Sequence, residues 1–125
     1  MKKTYNTTNA PQAIGPYNQA VEVNGFVFLS GQIPVNPETG NLVEGGIEEQ
    51  TNQVFRNIGA VLKEVGINYE HIVKTTCFLK SMDDFQAMNK VYASYLKENQ
   101  PARSAVEVSR LPKDALIEIE VIAHK

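Results

Sequence analysis

The chain has 125 residues, 42% of them hydrophobic, and a formal net charge of -2. That length suits one domain, residues 1–125, with a single core. The basic residues are scattered, so nucleic acid is not expected as the main partner, because phosphate binding needs a concentrated positive face. No apolar run is long enough to span a membrane, and none follows the charged start Met1-Lys2-Lys3, so neither a membrane span nor a signal peptide is expected. One cysteine, Cys77, leaves no internal disulfide, and the cytoplasm is the expected compartment. Together with His71 and His124 it forms no ligand spacing for a metal.

In chain order, Thr4 to Asn9 reads as a short edge strand. Gly15-Pro16 then fixes a bend, with Tyr17 held beside it, either packing on the domain edge or standing at the rim of a pocket. Ala20 to Val23 and Phe26 to Ser30 are strands joined by Asn24-Gly25, the sequence of a two-residue type I′ hairpin turn. Ser30-Gly31-Gln32 closes the second of them; a glycine there permits close approach by a ligand or another chain. Asn36 to Asn41 is a further turn, followed by a loop to Gly45-Gly46.

From Ile47 to Val65 the apolar residues recur at helical spacing, and Gly66 suits a helix stop. Ile72 to Leu79 is β-branched and reads as a central strand with Val73, Thr75, Cys77 and Leu79 on one face; Cys77 is then a small buried residue. Ser81 suits an N-cap for a helix to about Lys97. One stripe of that helix holds Met88, Val91 and Tyr95, and a second holds Phe85, Asn89, Tyr92 and Leu96. Asn89, an amide on an apolar stripe, needs a partner: a loop backbone or a ligand.

Ala102 to Ser109 and Leu116 to Ile122 read as strands, with turn chemistry at Leu111-Pro112-Lys113-Asp114 between them. Alternation puts Val106 and Val108 on one face of the first, and Arg103, Ala105 and Glu107 on the other. In the second strand Ile117, Ile119 and Val121 oppose Glu118 and Glu120. If the two strands form a hairpin, Arg103 and Glu118 face a common space. An ordinary ion pair on a solvated sheet face is the plain alternative. The order β-β-β-α-β-α-β-β is that of an α+β fold, a mixed sheet with two helices on one face. Its other face would carry Arg103, Glu118, Lys74, Thr76 and Phe78, a mixed surface suited to burial between subunits.

Several stretches together resemble the Rid, or YjgF-type, reactive-intermediate deaminases, and among them the RidA group. They are I-G-P-Y-N-Q at Ile14 to Gln19, S-G-Q-I-P at Ser30 to Pro34, and E-Q-T-N-Q-V-F-R-N at Glu49 to Asn57. D-F-Q-A-M-N-K-V-Y at Asp84 to Tyr92, P-A-R-S-A-V-E-V at Pro101 to Val108 and I-E-I-E-V-I-A at Ile117 to Ala123 complete the set. The resemblance implies a chorismate-mutase-like fold and a homotrimer with sites between subunits. It implies hydrolysis of 2-imino acids such as 2-iminobutanoate and 2-iminopropanoate to 2-keto acids and ammonia, with no cofactor and no metal.

The positions matching the family's functional residues are Arg103, Glu118 and Tyr17, with Ser30, Gly31, Phe85, Asn89 and Ala105 at the substrate. The residue types suit the chemistry. An arginine fork holds a carboxylate through two parallel bonds. A glutamate can position and deprotonate the attacking water, and a tyrosine or a water can assist the imine nitrogen. The chain departs from the family at Asn18, where serine is usual, and at Ala105, where cysteine is usual. A nucleophilic thiol at that position is therefore not available, whereas a water mechanism through Arg103 and Glu118 is. Two other readings remain: a protein that binds keto acids or amino acids without turnover, and a ribonuclease or translation inhibitor, which the missing basic stripe disfavours.

Overall fold

The computed structural model describes the whole chain, Met1–Lys125. In order the elements are β1 (Lys3–Tyr5), β2 (Ala20–Val23), β3 (Phe26–Gln32), α1 (Ile47–Val65), β4 (Ile72–Leu79), α2 (Phe85–Tyr95), β5 (Ala102–Glu107) and β6 (Ile117–His124). The expected α+β order of six strands and two helices is what is observed. One six-stranded sheet runs β1-β2-β3-β6-β4-β5. All neighbours are antiparallel except β4 and β5, which are parallel and joined through α2. Parallel neighbours need such a crossover, whereas β2 and β3 need only their two-residue turn. There Asn24 and Gly25 have φ of 52° and 81°, the positive pair that a type I′ turn requires.

The expected pairing of the last two strands is corrected. β5 and β6 are not a hairpin; β4 lies between them. The connection is too long for a tight turn, and β6 returns to the sheet centre, where its apolar face is fully used: Ile117 and Ile119 are 0% exposed and Val121 is 2%. The edge strand β1 is shorter and earlier than expected, and residues Thr8–Ala10 turn away from it. β5 also stops early, at Glu107. Val73 is exposed, not interior, because a register shift between Ile72 and Lys74 passes the buried position to Ile72.

α1 begins where the carboxylate of Glu49 accepts the Gly46 N–H at 2.8 Å. It ends at Gly66 (φ 95°), whose N–H reaches the carbonyls of Leu62 and Lys63, each at 3.0 Å. Ser81 caps a short 3-10 turn, Met82–Asp84, that leads into α2. Asp84 returns no side-chain bond. Both helices cover one face of the sheet around a core of 21 buried residues, with Phe55 stacked on Tyr95 at 4.8 Å between them. On the other face Phe26, Phe28 and Val106 are each 43% exposed, with Phe78, Ile122, Glu118 and Glu120 among them. No helix is long and apolar enough to cross a membrane.

Candidate active site

The parallel register of β4 and β5 decides where the guanidinium goes. Thr75 pairs with Arg103 and Cys77 with Ala105. Thr75 and Cys77 are fully buried on the helix side, so Arg103 and Ala105 lie on that side too. The expectation that Arg103 shares the open face with Glu118 is thereby corrected. Arg103 tolerates the helix side because it lies on an edge strand, beside a helix stripe suited to it. Phe85, Asn89 and Tyr92 recur at spacings of four and three along α2 and meet the side chain in turn. Arg103 Cζ is 5.3 Å from the Phe85 ring centroid and 4.7 Å from that of Tyr92. Arg103 Nη1 donates to Asn89 Oδ1 at 2.6 Å. The expected partner of Asn89 is a loop backbone or a ligand; the partner within the chain is the Arg103 guanidinium.

Arg103 forms no ion pair with any carboxylate of its own chain. It opens into a cleft of about 440 Å³ shared with Asn89, Tyr92 and Gln100. Beneath it Cys77 is buried, and burial pushes its thiol up to about 11, against a smaller opposing pull from Arg103. That thiol is neutral and enclosed. Ala105 fills the paired place on β5, half-buried against the core.

Glu118 and Gly31 form a second group, on the other face of the sheet. The register of β3 against β6 shifts between Leu29 and Gln32, so Ser30 and Gly31 form a bulge opposite Glu120. The side chain of Glu118 lies across this bulge. A Cβ at Gly31 would overlap Glu118 Oε2 and stand 2.9 Å from Cδ and 3.1 Å from Cγ. The space that a glycine leaves at this strand end is therefore occupied by a carboxylate. Glu118 has no hydrogen-bond or ion-pair partner. Its pKa is raised, first by burial and then by the charge of Glu120 on the same face.

Ser30 ties the bulge to the preceding loop: its hydroxyl donates to Asn18 O at 2.7 Å and its N–H to Gln19 O at 2.9 Å. The hydroxyl is thus engaged internally. Asn18 also accepts from Asn6 Nδ2 at 3.0 Å. Tyr17 is 51% exposed, and it lines a cleft of about 840 Å³ together with Gly31, Ile33, Val35 and Pro112.

Three supports of these groups did not stand out in the sequence. Gln19 is 1% exposed and bonds Thr7 and Pro11, holding the first loop. Asn57 donates to the carbonyls of Ile33 and Val35 at 3.1 and 3.0 Å, fixing the cleft wall from α1. Tyr92, visible as a member of the α2 stripe, reads there as core. An aromatic at that spacing gives no sign of a cation until the pairing of β5 is known. In a single chain, then, Arg103, Phe85, Asn89 and Ala105 form one group and Glu118 with the Ser30–Gly31 bulge another, with the sheet between them, while Tyr17 shares a cleft with Gly31.

The model of the family described as endoribonuclease L-PSP matches residues 7–125. A RutC family protein of Pyrococcus horikoshii is 54% identical over 125 residues, spanning 100% of this chain and 99% of the relative. The mouse 2-iminobutanoate/2-iminopropanoate deaminase is 43% identical over 123 residues, 98% of this chain and 91% of the mouse protein. Among solved structures, a Rid-family protein of unknown function from Yersinia pestis superposes with a TM-score of 0.96 at 53% identity, covering 100% of both chains.

Proposed function

The chain belongs to the endoribonuclease L-PSP family, the Rid or YjgF-type proteins, and from that membership we propose that it is a 2-imino acid deaminase. The substrates are 2-iminobutanoate and 2-iminopropanoate or their enamine tautomers, and the products are the 2-keto acids and ammonia. One observation carries the reading: a cradled arginine with no anionic partner and a half-buried glutamate with no cationic one, held on opposite faces of one sheet. Two groups so placed in one chain come together only if different copies contribute them. As the family resemblance implies, the proposed enzyme is a homotrimer, with Arg103 of one subunit facing Glu118, Gly31 and Tyr17 of the next, and its proposed compartment is the cytoplasm. The exposed Phe26, Phe28 and Val106 on the open sheet face support burial against other copies.

In this mechanism Arg103 binds the substrate carboxylate through its free N–H groups and holds the imine carbon in place. Glu118, its pKa raised toward that of a useful base, takes a proton from a water whose oxygen bonds to that carbon. The imine nitrogen gains a proton, with Tyr17 or a water assisting, and the C=N double bond becomes a carbinolamine. The proton held by Glu118 passes to the nitrogen, the C–N bond breaks, and ammonia leaves as the hydroxyl gives its proton back to the assisting group and its oxygen becomes the keto oxygen. Gly31 N–H and the main chain at Ala105 supply polar contacts, so the mechanism does not need a thiol at position 105.

The test is the decay rate of 2-iminobutanoate generated in situ, with wild type, Arg103→Ala, Glu118→Gln and no protein. Acceleration by wild type, lost in Arg103→Ala and reduced in Glu118→Gln, is the expected result. Equal rates in all four samples would overturn the enzyme reading and leave a site that only binds keto or amino acids.

A further inference from the structure

Tyr92 touches Arg103 but has no part in the reaction as written. It is 6% exposed, and its ring is nearer to Arg103 Cζ than that of Phe85, 4.7 against 5.3 Å. The ring is held from two directions. Its hydroxyl is hydrogen-bonded to Thr75 Oγ1 at 2.8 Å, and its edge meets Phe55 with centroids 5.5 Å apart. Thr75 is 0% exposed and is the β4 residue paired with Arg103 itself. The backbone of Arg103 and the ring under its guanidinium are thus both fixed to one position of one strand.

We propose that Tyr92, through its ring, is a positioning residue that sets the height of the Arg103 fork for an incoming carboxylate. The inference rests on the reading of Arg103 as the carboxylate binder. Its physical reason is the choice of support. A carboxylate beneath Arg103 would also hold it, but would neutralise the charge and occupy the fork. A neutral ring attracts the cation through its quadrupole, and the Asn89 amide takes one N–H, so the remaining donors and the full charge stay available. Ordering the long side chain beforehand also removes that entropic cost from the binding step.

The experiment compares Tyr92→Leu with Tyr92→Phe/Thr75→Val, which keeps the ring and removes both partners of the buried hydrogen bond without orphaning either. 2-Ketobutyrate titration, imine turnover and the heteronuclear NOE of Arg103 Nε–Hε are read for each. That signal is one of three from arginine (Arg56, Arg103 and Arg110), assigned by its absence in Arg103→Lys.

Tyr92→Leu is expected to weaken 2-ketobutyrate about tenfold, the scale of a partly desolvated cation–π contact, and to lower the NOE. It is expected to raise KM by a similar factor while kcat changes less than about twofold. The ring-retaining pair is expected to restore most of the affinity. Tyr92→Met, which refills the core, replaces the leucine variant if that fails to fold.

Wild-type affinity and NOE in the ringless variant would overturn the proposal. So would an equal loss in the ring-retaining pair, because the effect would then be one of core packing. If wild type binds 2-ketobutyrate but does not accelerate imine decay, the deaminase reading falls, while the affinity and NOE of these variants still decide the role of Tyr92.

Discussion

Replacing Gly31 with alanine is expected to disable the site while leaving the fold intact. Gly31 does not have a positive φ, so alanine is compatible with its backbone, and its N–H is kept. The new Cβ, however, would overlap Glu118 Oε2 and lie 2.9 Å from Cδ. Restoring ordinary contact requires the carboxylate to move by about 1 Å or more. A base misplaced by that distance costs on the order of 100-fold, within the range that general base catalysis supplies. The expected outcome is therefore a fall of about 100-fold in kcat for 2-iminobutanoate decay. 2-Ketobutyrate binding should remain, and stability should stay within about 1 kcal/mol of wild type. The assay also includes Glu118→Gln and the double variant. If Gly31 acts through Glu118, the double variant is no slower than Glu118→Gln alone. A Gly31→Ala enzyme within threefold of wild type, or a further loss in the Glu118→Gln background, would refute the reasoning.

Four more predictions concern the same molecule. Because burial and Glu120 both raise the pKa of Glu118, the acid limb of kcat/KM should lie above pH 4.5; Glu120→Gln should move it lower, and a rise would contradict the assignment. By linkage, the folded state holds more protons than the unfolded one between 4.5 and that raised value, so the stability contributed by Glu118 falls as pH rises through this window. Glu118→Gln should therefore be more stable than wild type at neutral pH, with a difference that closes as pH falls to 4.5, as urea titrations at several pH values can show. Gly59→Ala should destabilise the fold by about 1 kcal/mol despite alanine's helix preference, because its Cβ would overlap the Tyr69 hydroxyl and stand 2.9 Å from Cζ; a raised Tm would refute this. Sedimentation of wild type at micromolar concentration should give a trimer and Phe28→Glu a smaller species; a wild-type monomer would count against a site shared between copies.

The elements were readable in the sequence because their signals are local. The helical period from Ile47 to Val65, the asparagine–glycine turn and the β-branched run from Ile72 to Leu79 each state their structure within a few residues. What could not be read is the order of strands. Alternation says which residues share a face of one strand but does not say which strand lies beside it. Arg103 and Glu118 sit on consecutive strands, so a hairpin was the economical reading. The insertion of β4 between those strands depends on where the apolar face of β6 packs best, which is a property of the whole core. Val73 failed for a similar reason, since one register shift reverses a face without any mark at the residue itself.

The correction at Arg103 changes the logic of the site more than its membership. Had the guanidinium and the carboxylate shared a face, the simplest outcome would be an ion pair, each group satisfying the other and neither available to a substrate. The sheet prevents this within one chain. On the helix side, Arg103 rests on two aromatic rings and an amide, groups that hold a cation without neutralising it. On the open side, Glu118 lies over a glycine bulge beside another carboxylate, a surrounding that favours proton uptake. In the proposed site, each chain carries two halves whose charges have no partner in the isolated subunit. Assembly is what would give each a partner, with a substrate carboxylate at the arginine and a reacting water at the glutamate. By the same separation, the proposed mechanism places no demand on the side chain at position 105. That position lies on the arginine side, paired with an enclosed and neutral Cys77, while the proposed proton transfer belongs to the glutamate on the other face.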